Sequence, residues 1–432
     1  MTQIFSDIPR PIAIVGLGIT GTAVQNLLMA GGVPSSEIFT FDEKSPRANF
    51  KESQRLMTEI APKTLVVSPG IPLASDWIQT AKKNGIYITS ELSLAYRLLS
   101  SEKVISITGS VGKSTTTCLL RAALEQFSSS FFVGGNLGIP LAIYATDLLN
   151  RKRSTADWVV LELSSYQLEN FPELKSEFSV ITHLTSNHLE RYPSKEEYFQ
   201  TKWNLENHTK SYFVLNKNGG ELQSWATTKV PKTPWIWTDR NSIAVNQHRL
   251  NDCQLLGSHN LDNIALAAEI VQQAKWPKSA FLGLKEFSGL AHRVENLGVK
   301  LGVRYINDSK ATTMESVRIA VASVLESMES NQKLHLLLGG KDKNLPWEEL
   351  SFLSNNSQIQ FYFFGQCRGI AQTKSLLNGQ SYEAMIAACD SARKNAKPGD
   401  SVLLSPGGTS LDEFKNFEHR GDIFKEFVSN IK

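Results

Sequence analysis

Short apolar runs that stop abruptly, many of them on a glycine, a hydroxyl residue or an asparagine, recur along this chain. No other feature constrains the fold as much. Residues 12–15, 104–108, 158–163, 180–184, 334–338, 361–364 and 401–404 are too short for helices. They are also too uniformly apolar for strands with one wet face. Strands of this kind are buried on both faces, as in a parallel sheet covered by helices. Helical patterns lie between them, so the chain reads as repeated βαβ units of the α/β class. Ligands of open α/β sheets sit beyond the carboxyl ends of the strands, so chemistry is expected in the residues that follow each run.

The run 104–108 leads into Gly109, Ser110, Val111, Gly112, Lys113, Ser114 and Thr115, and Leu119, Leu120, Ala123 and Leu124 then follow at helical spacing. Strand, glycine turn and helix in that order are what a phosphate-binding loop requires. Glycines let backbone N–H groups turn inward around phosphate oxygens, the helix start adds positive potential, and Lys113 adds a full charge. Ile107 stands where the longer GxxxxGK[ST] form has its first glycine, so the match is to a shortened GxxGKST. An ATP or GTP site is expected, and with it a divalent cation, for which Ser114 or Thr115 supplies a hydroxyl. Glu162 closes the run 158–163, His188 follows the run 180–184, and Asn136 lies in the turn GGNLGIP. Singly these read as an edge carboxylate, a satisfied histidine and a turn former. Their shared place beyond successive strands favours a metal and phosphate site.

Near the amino terminus, Gly16, Gly18 and Gly21 follow the strand 12–15 and open a helix over 22–28, while a second strand, 38–41, ends in Asp42. This is a dinucleotide-binding layout. Alone it suggests a nicotinamide-dependent dehydrogenase, although such a turn also takes the diphosphate of a UDP-sugar. Towards the carboxyl terminus, NDSKAT (307–312), GGKDK (339–343) and SPGGTS (405–410) each follow a strand. They form either a second anion-binding half-site or a set of helix caps. Lys310 and Lys343 suit a small anion.

The polar step SSEK (100–103) and a second break near 288–291 divide the chain into three α/β segments, 1–99, 100–289 and 290–432. Residues 211–253, with Trp225, Trp235, Trp237 and several turn residues, suggest a short antiparallel β segment. Apolar residues form 41% of the 432, enough for several cores. Lys plus Arg, 45, against Asp plus Glu, 42, leaves +3, which argues against a nucleic-acid or membrane-surface partner. The four cysteines, Cys118, Cys253, Cys367 and Cys389, form no CxxC pair and read as reduced thiols. The first apolar run lacks the basic start of a signal peptide, and no run approaches the ~18 residues of a membrane helix. A cytoplasmic location is expected.

The segments GLGITG, VVSPGIP, ITGSVGKSTTT, GGNLGIP, LELSSYQLE, NHLERYP, SHNLDNIALAA, GLAHRVE, INDSKATT, LLLGGKDKN and LSPGGTSLDEFKNFEHRGDIF together resemble the Mur ligase family over nearly the whole chain. The pairing of ELSSYQLE with SLDEFKNFEHRG is similar to its glutamate-adding branch. The resemblance implies a Rossmann-like amino-terminal domain, a central P-loop ATPase-like domain and a Rossmann-like carboxy-terminal domain. It implies ATP-dependent addition of D-glutamate to UDP-N-acetylmuramoyl-L-alanine through an acyl phosphate, in cytoplasmic peptidoglycan precursor synthesis by a monomer using ATP and Mg²⁺.

Residue by residue, the resemblance implies that Gly18, Ile19, Thr20, Asp42, Gly70 and Asn136 hold the UDP substrate. It assigns residues 109–115, Asn263, Arg293, Asp308 and Lys310 to ATP. Lys113, Glu162, His188 and Lys202 become catalytic, and Lys343, Ser410 and Phe417 hold glutamate. Lys202, in YFQTKWNL, matches a carbamylated lysine that joins Ser114, Glu162 and His188 around the metal. The chain departs from the family at Val111, where Asn is usual, at Asn187, where Asp is usual, and at residues 407–409, Glu43, Lys44 and Ala291. Val111 and Asn187 are the support for a third reading, a nucleotide-binding regulator without catalysis.

Overall fold

All but one of the buried apolar runs become strands whose two faces are covered, and the strands gather into three sheets. The computed structural model describes residues 4–185, 191–253 and 255–431. The chain divides into two compact units, Met1–His248 with Asp262–Leu284, and Arg249–Leu261 with Lys285–Lys432.

The first unit holds two parallel sheets. Strands β1 (Ile12–Val15), β2 (Ile38–Phe41), β3 (Thr64–Val67) and β4 (Tyr87–Thr89) lie in the order β2-β1-β3-β4. Strands β5 (Lys103–Thr108), β6 (Phe131–Gly135), β7 (Trp158–Glu162), β8 (Ser176–Ile181), β9 (Thr209–Asn216) and β10 (Trp235–Thr238) lie in the order β10-β9-β8-β5-β7-β6. Every residue of β1, β3 and β7 is buried, as their sequences require.

The second unit holds β11 (Glu295–Lys300), β12 (Val303–Asn307), β13 (Leu334–Gly339), β14 (Ile359–Phe364), β15 (Gly379–Tyr382) and β16 (Ser401–Gly407), in the order β11-β12-β16-β13-β14-β15. Only the β11–β12 edge hairpin is antiparallel. All of β13 and β16 is buried.

Strand order decides where the crevices open. In the first sheet the chain leaves β1 for β2 on one side and returns to β3 on the other. In the second it leaves β5 towards β6 and later leaves β8 towards β9 in the opposite sense. Such reversals part the connecting loops at the carboxyl ends and leave room for a ligand. The glycine turn after β1 and the glycine-lysine turn after β5 stand at these two places.

Several sequence expectations need correction. Residues 211–253 are not antiparallel: β9 and β10 pair in parallel, Phe213 opposite Trp235. The connection, residues 217–234, carries the helix Leu222–Ala226 and is long enough to cross over, where a hairpin needs only a short turn. The run 180–184 is not one strand: β8 begins earlier and ends at Ile181, and Leu184 makes only an isolated bridge to Gly220. The first helix spans Ile19–Ala30 rather than 22–28, because it starts directly after Gly18. Ahead of the polar step 100–103 a short helix spans Glu91–Tyr96, where the Ser90 hydroxyl accepts from Ser93 N. Residues 405–407 belong to β16 rather than to a loop, through a register shift opposite Leu337 and Gly339. Among the described residues no helix is long and apolar enough to cross a membrane.

Candidate active site

After β5 the backbone turns at Gly109 (φ 149°) and Gly112 (φ 88°), conformations that side chains other than glycine's rarely adopt. The helix Lys113–Glu125 then starts, with its N-terminal N–H groups at the turn. Neighbouring loops brace this turn. Ser110 N donates to His183 O (2.8 Å), and the Ser110 hydroxyl donates to Thr185 O (2.9 Å). The Tyr198 hydroxyl donates to Ser110 Oγ (3.2 Å), and Thr182 Oγ1 donates to Val111 O. Lys113 lies back over the turn, its Nζ donating to Gly109 O (2.7 Å) and Ser110 O (3.2 Å). Asn263 packs against the same turn: a Cβ at Gly112 would collide with its Oδ1, to which the Thr116 hydroxyl donates (3.4 Å).

Glu162, at the end of β7, is only 1% exposed. Its Oε1 accepts from Asn136 Nδ2 (2.7 Å), and its backbone oxygen accepts from Asn136 N (2.8 Å). Its buried Oε2 has no hydrogen-bond partner among the described residues. A carboxylate oxygen left so is expensive unless a cation or a proton serves it. Lys202, on the helix Lys195–Trp203, is also 1% exposed, and its Nζ donates to Gly109 O (3.0 Å). Burial, and secondly the charge of Lys113, hold the Lys202 ammonium well below the usual lysine range, with Glu162 opposing. Buried Ser114 begins the same helix turn. The structure therefore brings together Lys113, Ser114, Asn136, Glu162, Lys202 and Asn263. His188 and Asn187 lie outside the described residues, among which no group of three His, Cys, Asp or Glu side chains gathers as a metal site.

A cleft of ≈ 470 Å³ opens beyond β1 and β3, with Gly18, Ile19, Thr20 and Gly70 on one side and Asn136 on the other. Asp42, expected with them, does not line it. Its carboxylate accepts the backbone N–H of Leu17 (2.8 Å), Lys44 (2.9 Å) and Ser45 (2.9 Å), which hold it below the usual carboxylate range. Sequence reasoning missed Ser68 and Gln167, which also line the cleft. Gln167 completes a capping box: the Ser164 hydroxyl accepts from Gln167 N (3.3 Å), and Gln167 Oε1 accepts from Ser164 N (3.0 Å). The S-x-x-Q spacing was the available signal. Arg191 was also missed. It donates to Pro69 O (2.9 Å) and Glu169 (2.7 Å), and so ties down one wall of the cleft.

In the second unit, buried Asp308 accepts from the Ser405 hydroxyl (2.7 Å) and from Val294 N (3.2 Å). Burial pushes its carboxyl up to about 7, with Arg293 among the groups pulling it back. Lys310 Nζ stands 3.8 Å from the centre of the Phe417 ring, and burial lowers its pKa, followed by the charge of Arg293. Ser410 is buried and Lys343 exposed. Arg293, Asp308, Lys310 and Phe417 thus fall in one neighbourhood. Arg420, fully buried beside them, was not foreseen.

Residues 107–271 match the Mur ligase middle domain. The chain is 34% identical to the UDP-N-acetylmuramoylalanine–D-glutamate ligase of Mannheimia succiniciproducens, over 96% of each chain. It is 32% identical to the enzyme of that name from Buchnera aphidicola, over 98% of each. Its fold is similar to that of the MurF ligase of Thermotoga maritima, solved in complex with ADP (TM-score 0.58, 16% identity, 91% of this chain and 95% of that one).

Proposed function

The chain belongs to the family of UDP-N-acetylmuramoylalanine–D-glutamate ligases, and from that premise we propose a reaction path through its residues. The protein is an ATP-dependent, ADP-forming amide ligase that adds D-glutamate to UDP-N-acetylmuramoyl-L-alanine in peptidoglycan precursor synthesis. The γ-phosphoryl group of ATP passes to the alanine carboxylate, giving an acyl phosphate and ADP. The amine of D-glutamate attacks the acyl carbon, loses a proton and expels phosphate, leaving the amide.

The observation that carries this reading is the meeting of Lys113, Lys202 and Glu162 at the glycine turn after β5, beside a cleft wide enough for a nucleotide-sugar. Lys113 and the first N–H groups of its helix offset the charge of the phosphoryl group in transfer. Asn263 faces the nucleotide from the side. Gly18, Ile19, Thr20, Gly70 and Asn136 hold the UDP substrate with its carboxylate towards the turn. Asp42 acts on that substrate only by shaping the loop at Leu17. Arg293, Asp308 and Lys310 complete the ATP site, and Lys343, Ser410 and Phe417 hold glutamate. The segments 1–99, 100–289 and 290–432 serve the UDP substrate, ATP and glutamate in turn.

The unpaired Glu162 Oε2 fits a hard cation such as Mg²⁺, with Ser114, His188 and a carbamate on Lys202 as further donors. Bound there, the cation would neutralise phosphate charge. Burial lowers the pKa of Lys202, and the neutral amine is the form of a lysine that takes up carbon dioxide, which gives Lys202 a route to an anionic oxygen donor. A cytoplasmic monomer completes the reading. The dehydrogenase and silent-regulator readings are not favoured, since the relatives carry ligase names.

Incubation with ATP, Mg²⁺, UDP-N-acetylmuramoyl-L-alanine and either D- or L-glutamate, followed by mass analysis, tests the proposal. Mass gain of one glutamate residue with the D isomer alone is the expected result. Nucleotide turnover without mass gain would refute it.

A further inference from the structure

Arg420 is the largest charged side chain without exposure in the second unit, at 0%. Among the described residues it forms no ion pair, and Asp412, Asp308 and Glu413 act on it only at longer range. A guanidinium buried in this way is unfavourable unless its N–H groups are used. Here they are. Nε donates to Ser309 Oγ (3.0 Å), Nη2 to Ser309 O (2.8 Å) and Nη1 to Gly408 O (3.1 Å). A Cβ on Gly340 would lie 2.9 Å from Nη1. One planar group therefore touches the loops that follow β12, β13 and β16.

The Ser309 hydroxyl passes this hold onward. It accepts from Arg420 and donates to Phe417 O (2.8 Å). Phe417 opens the helix Phe417–Ser429 that also carries Arg420, and its ring lies under Lys310. Ser309 thus stands between two residues of one helical turn and next to Lys310 in sequence. Neither Ser309 nor Arg420 faces an open surface, since both are fully buried.

We propose that Arg420 and Ser309 are positioning residues for the amino-acid substrate, setting Phe417, Lys310 and the loop that carries Ser410 without touching the substrate themselves. The proposal rests on the reading of Lys343, Ser410 and Phe417 as the glutamate site. It also accounts for a buried arginine where lysine, with its compact head group, cannot span the same three acceptors.

The test is steady-state kinetics of Ser309→Ala and Arg420→Lys with each substrate varied in turn, alongside Lys343→Ala and Ser410→Ala. Ser309→Ala, the milder change, should raise KM for D-glutamate about tenfold, the loss of one buried hydrogen bond, and leave KM for ATP and for the UDP substrate within about twofold. Arg420→Lys should raise it further, in the same selective way. A glutamate KM within about twofold of the parent in Ser309→Ala, while Lys343→Ala and Ser410→Ala raise it, overturns the positioning role and leaves the glutamate site standing. Equal rises in all three KM values, tracking a lower thermal midpoint, reduce the pair to a structural role and also overturn it. If neither Lys343→Ala nor Ser410→Ala moves the glutamate KM, the site is misplaced and the proposal falls with it.

Discussion

Gly109 O accepts from two ammonium groups, Lys113 Nζ at 2.7 Å and Lys202 Nζ at 3.0 Å. Two cations sharing one carbonyl repel each other, and the more deeply buried gives up its proton more readily, which fits the lowered pKa of Lys202. The two lysines therefore have different work despite their closeness. Lys113→Ala should lower ATP cleavage by at least about 10³-fold, as expected for removing a charge that stabilises phosphoryl transfer, and phosphate release measures it. Lys202→Ala should be inactive but partly recovered by millimolar short-chain carboxylates, which refill the carbamate's place. Full activity without any addition would dismiss the carbamate. Lys113 was legible in the sequence because a glycine-lysine turn between strand and helix has one physical use. Lys202 was legible only by resemblance: a lysine on a polar helix looks like any solvated residue until tertiary packing buries it.

At the scale of elements, the helix Leu141–Leu149 starts after Pro140 with no side-chain cap of its own. The Glu91 carboxylate, from the first turn of another helix, accepts the N–H of Ala142 there. Burial pushes this carboxyl up from an ordinary 4.5 to about 7, against the pull of that N–H. The unfolded chain ionises the group near the lower value and the fold near the higher one. Between the two the fold holds the extra proton, so stability falls as pH rises from about 4.5 to about 7 and is level above. Glu91→Gln keeps an acceptor for Ala142 and removes the titration. It should match the parent at pH 4.5 and exceed it at pH 8 by about 3 kcal/mol, seen by calorimetry as a rise of several degrees in thermal midpoint. An unchanged difference between the two pH values would count against it. This contact joins residues 51 positions apart, and no local pattern announces it. The same blindness produced the error at β9 and β10. Tryptophans and turn residues mark an extended segment, but the sense of pairing depends on where the crossover helix packs.

The whole molecule repeats one arrangement, a largely parallel sheet with its loops parted at the carboxyl ends, in three sheets of different strand order. Large exposed apolar side chains, among them Ile19, Val230, Ile243, Val299, Leu376 and Leu411, come from many separate elements. Such scattered residues are ordinary on a monomer's surface. Light scattering at micromolar concentration should therefore give a single species of 48.0 kDa, and a stable dimer would refute the monomer reading.

The sequence alone determined the class of fold, most of the strands and the turn that grips phosphate. Continuous apolar runs can be satisfied only by burial on both faces, and glycine at a helix start only by close approach to something small and charged. Strand order, the use of the Asp42 carboxylate within its own loop, the lowered pKa of Lys202 and the hold of Arg420 on three loops were decided by tertiary structure. Each depends on groups brought together from distant parts of the chain. Burial and pairing belong to that assembled neighbourhood rather than to any stretch of residues.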